Sequence, residues 1–362
     1  MLHKLKLFHR LLLVGALPMA AVAYFAIIDI ARIDDRRDRN AVVLELVDLS
    51  EHMGALMHEM QRERGLSAGF LSSKGSKFAT ELREQRARTD KARESLRASN
   101  GEHSDVVNNS PLGEPMQAMR DSYEKIAATR QQVDAFALPV PEMASTYTGV
   151  INHILETLNK LSTIGNSGDA GRERNAYLML LQAKENAGLE RAMGATGFSA
   201  GVFHDPVMQK FNAYDALSRA NLRHFREFAL PGDIAQLDEI EAGPAAKETE
   251  AMRRAANRSV EPDIALKGTP DRWWAASTKR IDQLNELEIR VAGEIIAGAE
   301  ADLAQANREF YSAIAIFLTL VIGLSAIIWF VARSIMKPVE QVIHTMHEMG
   351  AGRLSGDPVL PK

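Results

Sequence analysis

Two long apolar stretches without a charged residue constrain the fold more than any other feature of the sequence. One runs from Leu11 to Ile28 and the other from Phe310 to Ala332. A helix needs about 20 such residues to cross the hydrocarbon core of a bilayer. The second stretch meets that length and the first comes close to it. We therefore predict membrane-spanning helices at residues 11–31 and 310–332.

The charges beside these stretches indicate their orientation. Basic residues flank the outer end of each stretch: Lys4, Lys6, Arg10, Arg333 and Lys337. Cytoplasmic flanks are enriched in lysine and arginine, so residues 1–10 and 333–362 are predicted to be cytoplasmic and residues 32–309 periplasmic. The alternative for the first stretch is a cleaved signal peptide, but the apolar run is longer than usual and no small-residue cleavage site ends it. The predicted location is the bacterial inner membrane.

The composition excludes several kinds of site. The chain has no cysteine, which excludes disulfides and thiolate metal sites and suits an exported domain. A net charge of -4 and a pI near 6.2 give no sign of the basic face that nucleic-acid binding requires. His344 and His347 share a helix face, as two ligands of a metal ion would, but we interpret them as solvated or dimer-facing residues. We expect no nucleic-acid partner, no metal site and no cofactor.

Between the two stretches, apolar residues recur every three or four positions, the period of a helix packed in a bundle. Three seams follow this period: Leu46, Leu49, Met53, Leu56 and Met60; Leu178 and Leu181; and Ile281, Leu284, Leu287, Val291 and Ile295. No comparable alternation predicts a strand. We predict an all-α fold, whose last helix begins near Arg272 and continues into the second apolar stretch. Loops are predicted where breakers cluster, at residues 99–115, around Pro139 and Pro141, and at 165–171, 230–233 and 266–270.

The segment RERGLSAGF, residues 62–70, contains the pattern Gly-x-Ser-x-Gly, and residues 197–201 repeat it. In α/β-hydrolases this pattern places a serine nucleophile on a sharp turn between a strand and a helix. Ser67 instead lies one heptad after Met60, within a helical seam, and no histidine and acid complete a triad. We interpret Ser67 and Ser199 as small packing residues and expect no enzyme activity.

Charged residues continue the first seam. Glu63 falls on the next core position, Arg64 lies beside the seam and Arg62 points outward. A carboxylate on a core stripe is costly unless it is paired. Two interpretations stay open from spacing alone: glutamates and arginines cross-link the bundle interior, or the arginines enclose a small planar anion that their donor forks match.

A second segment, KENAGLERA at 184–192, also places a glutamate on an apolar seam with an arginine beside it. Glu185 falls in phase with Leu178 and Leu181, and Arg191 flanks that seam. The pair Glu190-Arg191 also echoes Glu63-Arg64, which suggests an internal duplication.

Three segments carry a family resemblance: LMHEMQRERGLSAGFLSSKG at 56–75, LLQAKENAGLERAMGATGFSAG at 180–201, and RWWAASTKRIDQLNELE at 272–288. In this order they resemble the signature motifs of the nitrate- and nitrite-sensing (NIT) domain. The resemblance implies a pair of all-α units, which we expect to be four-helix bundles, that bind nitrate or nitrite through arginines. The arginines carried over are Arg62, Arg64 and Arg191, with either Arg253 or Arg254. We expect Glu63, Glu185 and Glu190 to support them by balancing their charge.

The last segment, RSIMKPVEQVIHTMHEMGAGRLSGD at 333–357, resembles the first helix and connector of a HAMP linker. Pro338 stands early in it, and Gly352-Arg353-Leu354 close the helix. The resemblance implies a homodimer that relays motion to an output domain beyond these residues. A methyl-accepting chemotaxis output is the favoured option, with histidine kinase or cyclic-nucleotide signalling as the others.

Together these features predict a dimeric inner-membrane receptor whose periplasmic bundle senses nitrate or nitrite and signals to downstream proteins. The rival hypothesis is a structural or interaction bundle that binds a periplasmic protein partner and no small anion.

Overall fold

The computed structural model describes residues 7–164, 169–258 and 269–351, and these residues fold into helices joined by short connections. The helices are α1 (Leu7–Ser72), α2 (Ala79–Glu102), α3 (Ser104–Asn108), α4 (Gly113–Tyr123), α5 (Lys125–Asp134), α6 (Val140–Thr163), α7 (Asp169–Ala200), α8 (Asp205–Phe228), α9 (Pro231–Ala242), α10 (Pro244–Arg258) and α11 (Pro270–Gly350). No strand occurs in these described ranges. The prediction of an all-α fold is confirmed.

Contacts divide the chain into two units. Ala41–Ala301 forms what we call the bundle unit, and Met1–Asn40 with Asp302–Lys362 forms the paired-helix unit. Within the paired-helix unit, Arg36 pairs with Glu309, and the amide of Asn40 donates to the backbone oxygen of Asp302 at 3.2 Å.

The two longest helices carry the apolar stretches. An 18-residue window reaches a mean hydropathy of 1.7 in α1 and 2.7 in α11, and none of either window is buried. By length and composition both helices can cross a membrane. The crossing itself, with its boundaries at 11–31 and 310–332, stays a prediction.

In the bundle unit the three seams form the core. Every seam residue is buried, from Leu49, Met53 and Met60 on α1 to Leu284 and Leu287 on α11. Helical periodicity therefore identified the inward faces correctly, because side chains three and four positions apart share one face of a helix.

The predicted loop at residues 99–115 is wrong in part. α2 continues to Glu102, α3 occupies Ser104–Asn108 and α4 begins at Gly113. Val107, Leu112 and Met116 are buried in the core, and this packing outweighs the weak helix propensity of the glycines and asparagines around them.

Other breaks follow the proline and glycine signals. Pro139 is the N-cap of α6 and Pro141 lies in its first turn, where the missing N–H of proline has no helical partner to lose. α9 begins at Pro231, within the predicted break at 230–233. The predicted breaks at 165–171 and 266–270 lie largely outside the described residues, and α7 and α11 begin at Asp169 and Pro270.

The order of helices repeats within the bundle unit. α1 and α7 each carry a Glu-Arg pair, and each is followed by a helix of 24 residues, α2 in the first half and α8 in the second. Short helices come next, and each half ends in a longer helix, α6 or α11. The order supports the internal duplication that the sequence suggests.

Candidate anion-binding site

Glu63, the first buried carboxylate, is paired within the first half. It is completely buried and accepts two hydrogen bonds from Arg130 on α5, at 2.7 and 2.8 Å. The hydroxyl of Tyr147 on α6 donates a third at 2.6 Å. Its role in the structure is therefore to join α1, α5 and α6.

Arg64 is also paired, across the two halves. Its guanidinium donates to both carboxylate oxygens of Glu185 on α7, at 2.7 and 3.1 Å, and to the hydroxyl of Thr148 at 2.7 Å. The amide of Gln61 donates to the same carboxylate at 2.8 Å. Arg64 lies against α7, since a Cβ added at Gly188 would be 3.4 Å from its Nη2.

A third buried pair joins α7 to α10. Arg253 donates to both oxygens of Glu190, at 2.5 and 2.7 Å, and has Asp215 at 3.1 Å and Glu250 at 3.3 Å. Carboxylates therefore surround Arg253. Arg254, the other arginine left open by the sequence, has a side chain that is 62% exposed and lies 3.5 Å from Glu250.

Arg191 differs from these residues because it has no carboxylate within 4 Å in the part of the chain that the structure describes, although it is only 7% exposed. Its Nη1 donates to the hydroxyl of Thr278 on α11 at 2.9 Å. Its Cζ lies 4.5 Å from the ring centre of Trp274, a cation–π contact. A Cβ added at Gly65 would be 3.2 Å from its Nη2, so the guanidinium also lies against α1.

The electrostatics of Arg191 are set by burial and by a second cation. Burial, and then the neighbouring charge of Arg64, lower the pKa of Arg191 to about 10, whereas Asp282 and Glu185 act in the opposite direction from beyond ion-pair distance. The guanidinium therefore stays charged at neutral pH. A buried cation without a partner is costly, and an anion beside it would remove much of that cost.

The structure thus brings together Arg64, Arg191 and Glu185 where α1 meets α7. Arg62 lies at the edge, with its side chain 45% exposed and 3.9 Å from Asp282. Arg253 belongs to the separate pair with Glu190, and Arg254 is on the surface.

The two serines differ in their surroundings. Both lie within helices, so neither sits on the strand-to-helix turn that a nucleophile requires. Ser67 is completely buried, as its packing role predicts. Ser199 is exposed next to the end of α7, so the packing role predicted for it is wrong.

Sequence reasoning missed several residues around Arg191. Thr278 and Trp274 lie in the segment RWWAASTKRIDQLNELE, whose family resemblance assigns no role to either residue. Lys184 is completely buried and pairs with Glu288, and its Nζ donates to Asn285 at 3.0 Å. A lysine in phase with a core seam was the available signal for that pair.

A groove elsewhere has the wrong chemistry for an anion. It encloses about 350 Å³ within the paired-helix unit, and its lining includes Asp29 and Glu309 with apolar side chains such as Ile30, Phe317 and Leu320. Its lining has two carboxylates and no lysine or arginine, and Arg36 is already paired with Glu309. Among the described residues there is also no group of three or more histidines and acids that could hold a metal ion.

Comparisons with known proteins bear on the same region. A family model described as nitrate and nitrite sensing matches residues 55–296, a range that includes every candidate site residue. The nitrate regulatory protein of Klebsiella oxytoca is 29% identical over 254 residues, which are 70% of this chain and 63% of that protein. The chain therefore spans less than two thirds of this relative. A solved structure of the NasR transcription antiterminator covers 89% of this chain, and 86% of its own chain is covered, with a TM-score of 0.69 and 25% identity.

Proposed function

Because the chain belongs to the nitrate and nitrite sensing family, we propose that Arg191, with Arg64 beside it, binds nitrate or nitrite in the bundle unit. The observation that carries the proposal is the buried guanidinium of Arg191, which lacks a carboxylate partner in the described structure. Arg64, Lys184 and Arg253 each have such a partner. Arg280 is also buried without one in the described structure, but Arg64 is the second cation beside Arg191, and the family motif includes Arg191.

The chemistry of the site suits a small planar oxoanion. An arginine presents its N–H donors in a plane, and two of them can meet two oxygens of one anion. Thr278 accepts a hydrogen bond from Arg191, which leaves its own hydroxyl proton free for a bound anion. Breaking a buried ion pair by removing one partner costs about 3–5 kcal/mol, which sets the scale of what an anion at Arg191 can contribute.

We extend the proposal to the whole protein as a membrane receptor. Two helices are long and apolar enough to cross a bilayer, and the segment after residue 332 resembles a HAMP linker. In this proposal the bundle unit is periplasmic, the receptor is a homodimer, and α11 passes the signal toward a chemotaxis-type output. α11 is helical through Gly350 with Pro338 inside it, whereas Gly352, Arg353 and Leu354 lie outside the described residues.

Thermal unfolding of the full chain in lipid nanodiscs tests the ligand. Nitrate is expected to stabilise the protein more than chloride at equal ionic strength, by about 2.7 kcal/mol at a hundredfold excess over the dissociation constant. Equal shifts with nitrate, nitrite and chloride would contradict a specific anion site and favour a bundle that binds a protein partner instead.

The Arg191→Lys variant tests the geometry. Lysine keeps the charge but loses the planar fork, so we expect nitrate to bind at least about tenfold more weakly, a loss of about 1.4 kcal/mol. Arg254→Lys is the matched control, because Arg254 is exposed, and it should bind as the natural protein does. Normal nitrate binding by Arg191→Lys would mean that this arginine only cross-links the bundle.

A further inference from the structure

The two halves of the bundle unit repeat the same contacts around their Glu-Arg pairs. Glu63 on α1 accepts hydrogen bonds from Nε and Nη2 of Arg130 on α5, and Glu190 on α7 accepts them from Nε and Nη2 of Arg253 on α10. The glutamate and the arginine thus occupy equivalent places in the two halves, on equivalent helices.

The arginines that follow these glutamates are equivalent as well. Arg64 donates through Nη1 to Thr148 on α6, at 2.7 Å. Arg191 donates through Nη1 to Thr278 on α11, at 2.9 Å. The repeat therefore relates α1 to α7, α5 to α10 and α6 to α11, which places Arg64 and Arg191 in matching environments.

The two arginines differ in what lies opposite them. Arg64 is paired with Glu185, which precedes Arg191 by six residues on α7. The residue that precedes Arg64 by six residues on α1 is His58. Where the repeat would place a second glutamate opposite Arg191, the chain has a histidine.

The contacts of its neighbours place His58 on the face of α1 that meets α7 and α11. Gly54, one turn earlier, lies against Tyr177 and Glu288. Gln61, one turn later, bonds to Glu185, and Gly65 lies against Arg191 and Trp274.

His58 differs from a carboxylate in its charge and in its hydrogen bonding. Its Nδ1 is buried and has no hydrogen-bond partner in the described structure. Burial, followed by the positive charges of Lys184, Arg62 and Arg191, lowers the pKa of His58 to about 2. The imidazole is therefore neutral at physiological pH and adds no negative charge opposite Arg191.

We infer that the anion occupies, at Arg191, the place that the Glu185 carboxylate occupies at Arg64, and that His58 is the residue that leaves this place open. The inference rests on the proposed function and specifies its ligand class. The site takes a monovalent planar anion with the outline of a carboxylate, such as nitrate, nitrite or formate. A tetrahedral dianion such as sulfate does not have that outline.

His58→Glu restores the missing member of the repeat and is the decisive variant. In the full chain in nanodiscs, it is expected to weaken nitrate binding, measured by calorimetry, by at least about tenfold. It should also melt at a higher temperature than the natural protein when both are free of anion. His58→Gln is the control: it is neutral and similar in size, and should keep nitrate binding within about threefold.

The outcomes separate this inference from the proposed function. Suppose that the natural protein binds nitrate. If His58→Glu binds nitrate equally well, or melts at a lower temperature than the natural protein without anion, the inference is wrong and the nitrate site stands. If the natural protein binds no nitrate, the proposed function fails, whatever the melting of His58→Glu. Formate is expected to displace nitrate from the natural protein and sulfate is not; displacement by sulfate alone would also overturn the inference.

Discussion

At the scale of single residues, two glycines set how closely the arginines approach the opposite helix. Gly65 lets the guanidinium of Arg191 lie against α1, and Gly188 does the same for Arg64 on α7. A side chain at either place would displace the positive charge from the junction. The small residues of both motifs therefore position cations in addition to packing helices.

Substitution of Gly65 by alanine tests this role. The new Cβ would lie 3.2 Å from Nη2 of Arg191 and 3.3 Å from Trp274, so both side chains must move. We expect Gly65→Ala to weaken nitrate binding by about tenfold, which corresponds to about 1.4 kcal/mol. Calorimetric titration of the variant with nitrate measures this loss of affinity.

Gly149→Ala provides the control, because nothing lies within 4 Å of its added Cβ in α6. It should leave nitrate binding unchanged and stabilise the protein by about 0.5–1 kcal/mol, since alanine favours a helix over glycine. Unchanged binding in Gly65→Ala would show that the position of Arg191 does not matter to the ligand.

At the scale of elements, α11 contains both the seam from Ile281 to Ile295 and the apolar stretch from Phe310 to Ala332, and it is helical throughout. A ligand shifts an equilibrium only by its differential affinity for two states. A continuous helix that can adopt two packings would carry such a shift.

Ala301→Pro tests this continuity. Proline removes a backbone hydrogen bond and clashes with the preceding turn, at a cost of about 3 kcal/mol or more. In a receptor joined to its output domain, we expect nitrate binding to persist and the output response to disappear. Ala301→Ser is the helix-compatible control, and a normal response from Ala301→Pro would show that α11 does not carry the signal.

The sequence predicted the helices and their buried faces better than the side-chain contacts between helices, for a physical reason. Helical period depends on neighbours in sequence, so the seams on α1, α7 and α11 could be identified. Pairs such as Glu63 with Arg130, or Arg191 with Thr278, depend on how distant helices align, which the sequence of either helix does not contain. The sequence showed that Glu63 needed a partner, but only the packing of α5 identifies Arg130 as that partner.

At the scale of the whole molecule, the absence of natural cysteine allows the predicted topology to be tested with single cysteines. Arg254 in the bundle unit and His344 near the end of α11 are both exposed. We expect a membrane-impermeant maleimide to label Arg254→Cys in intact spheroplasts, and to label His344→Cys only after lysis. Labelling of His344→Cys alone before lysis would contradict a periplasmic bundle unit. Labelling of both before lysis would contradict a cytoplasmic location for residues 333–362.

The stacking of Trp274 on Arg191 has a consequence for optical measurement. The indole ring lies 4.5 Å from the guanidinium carbon, and the ring nitrogen of Trp273 donates to the backbone oxygen of the same arginine at 2.9 Å. An anion that neutralises Arg191 changes the electric field across both chromophores and hence the energy of their emission. Trp329, in the apolar stretch of α11, is the third tryptophan of the chain, so a Trp329→Phe background restricts the emission to Trp273 and Trp274. If an anion binds at Arg191 as proposed, tryptophan emission will report its occupancy with no dye attached.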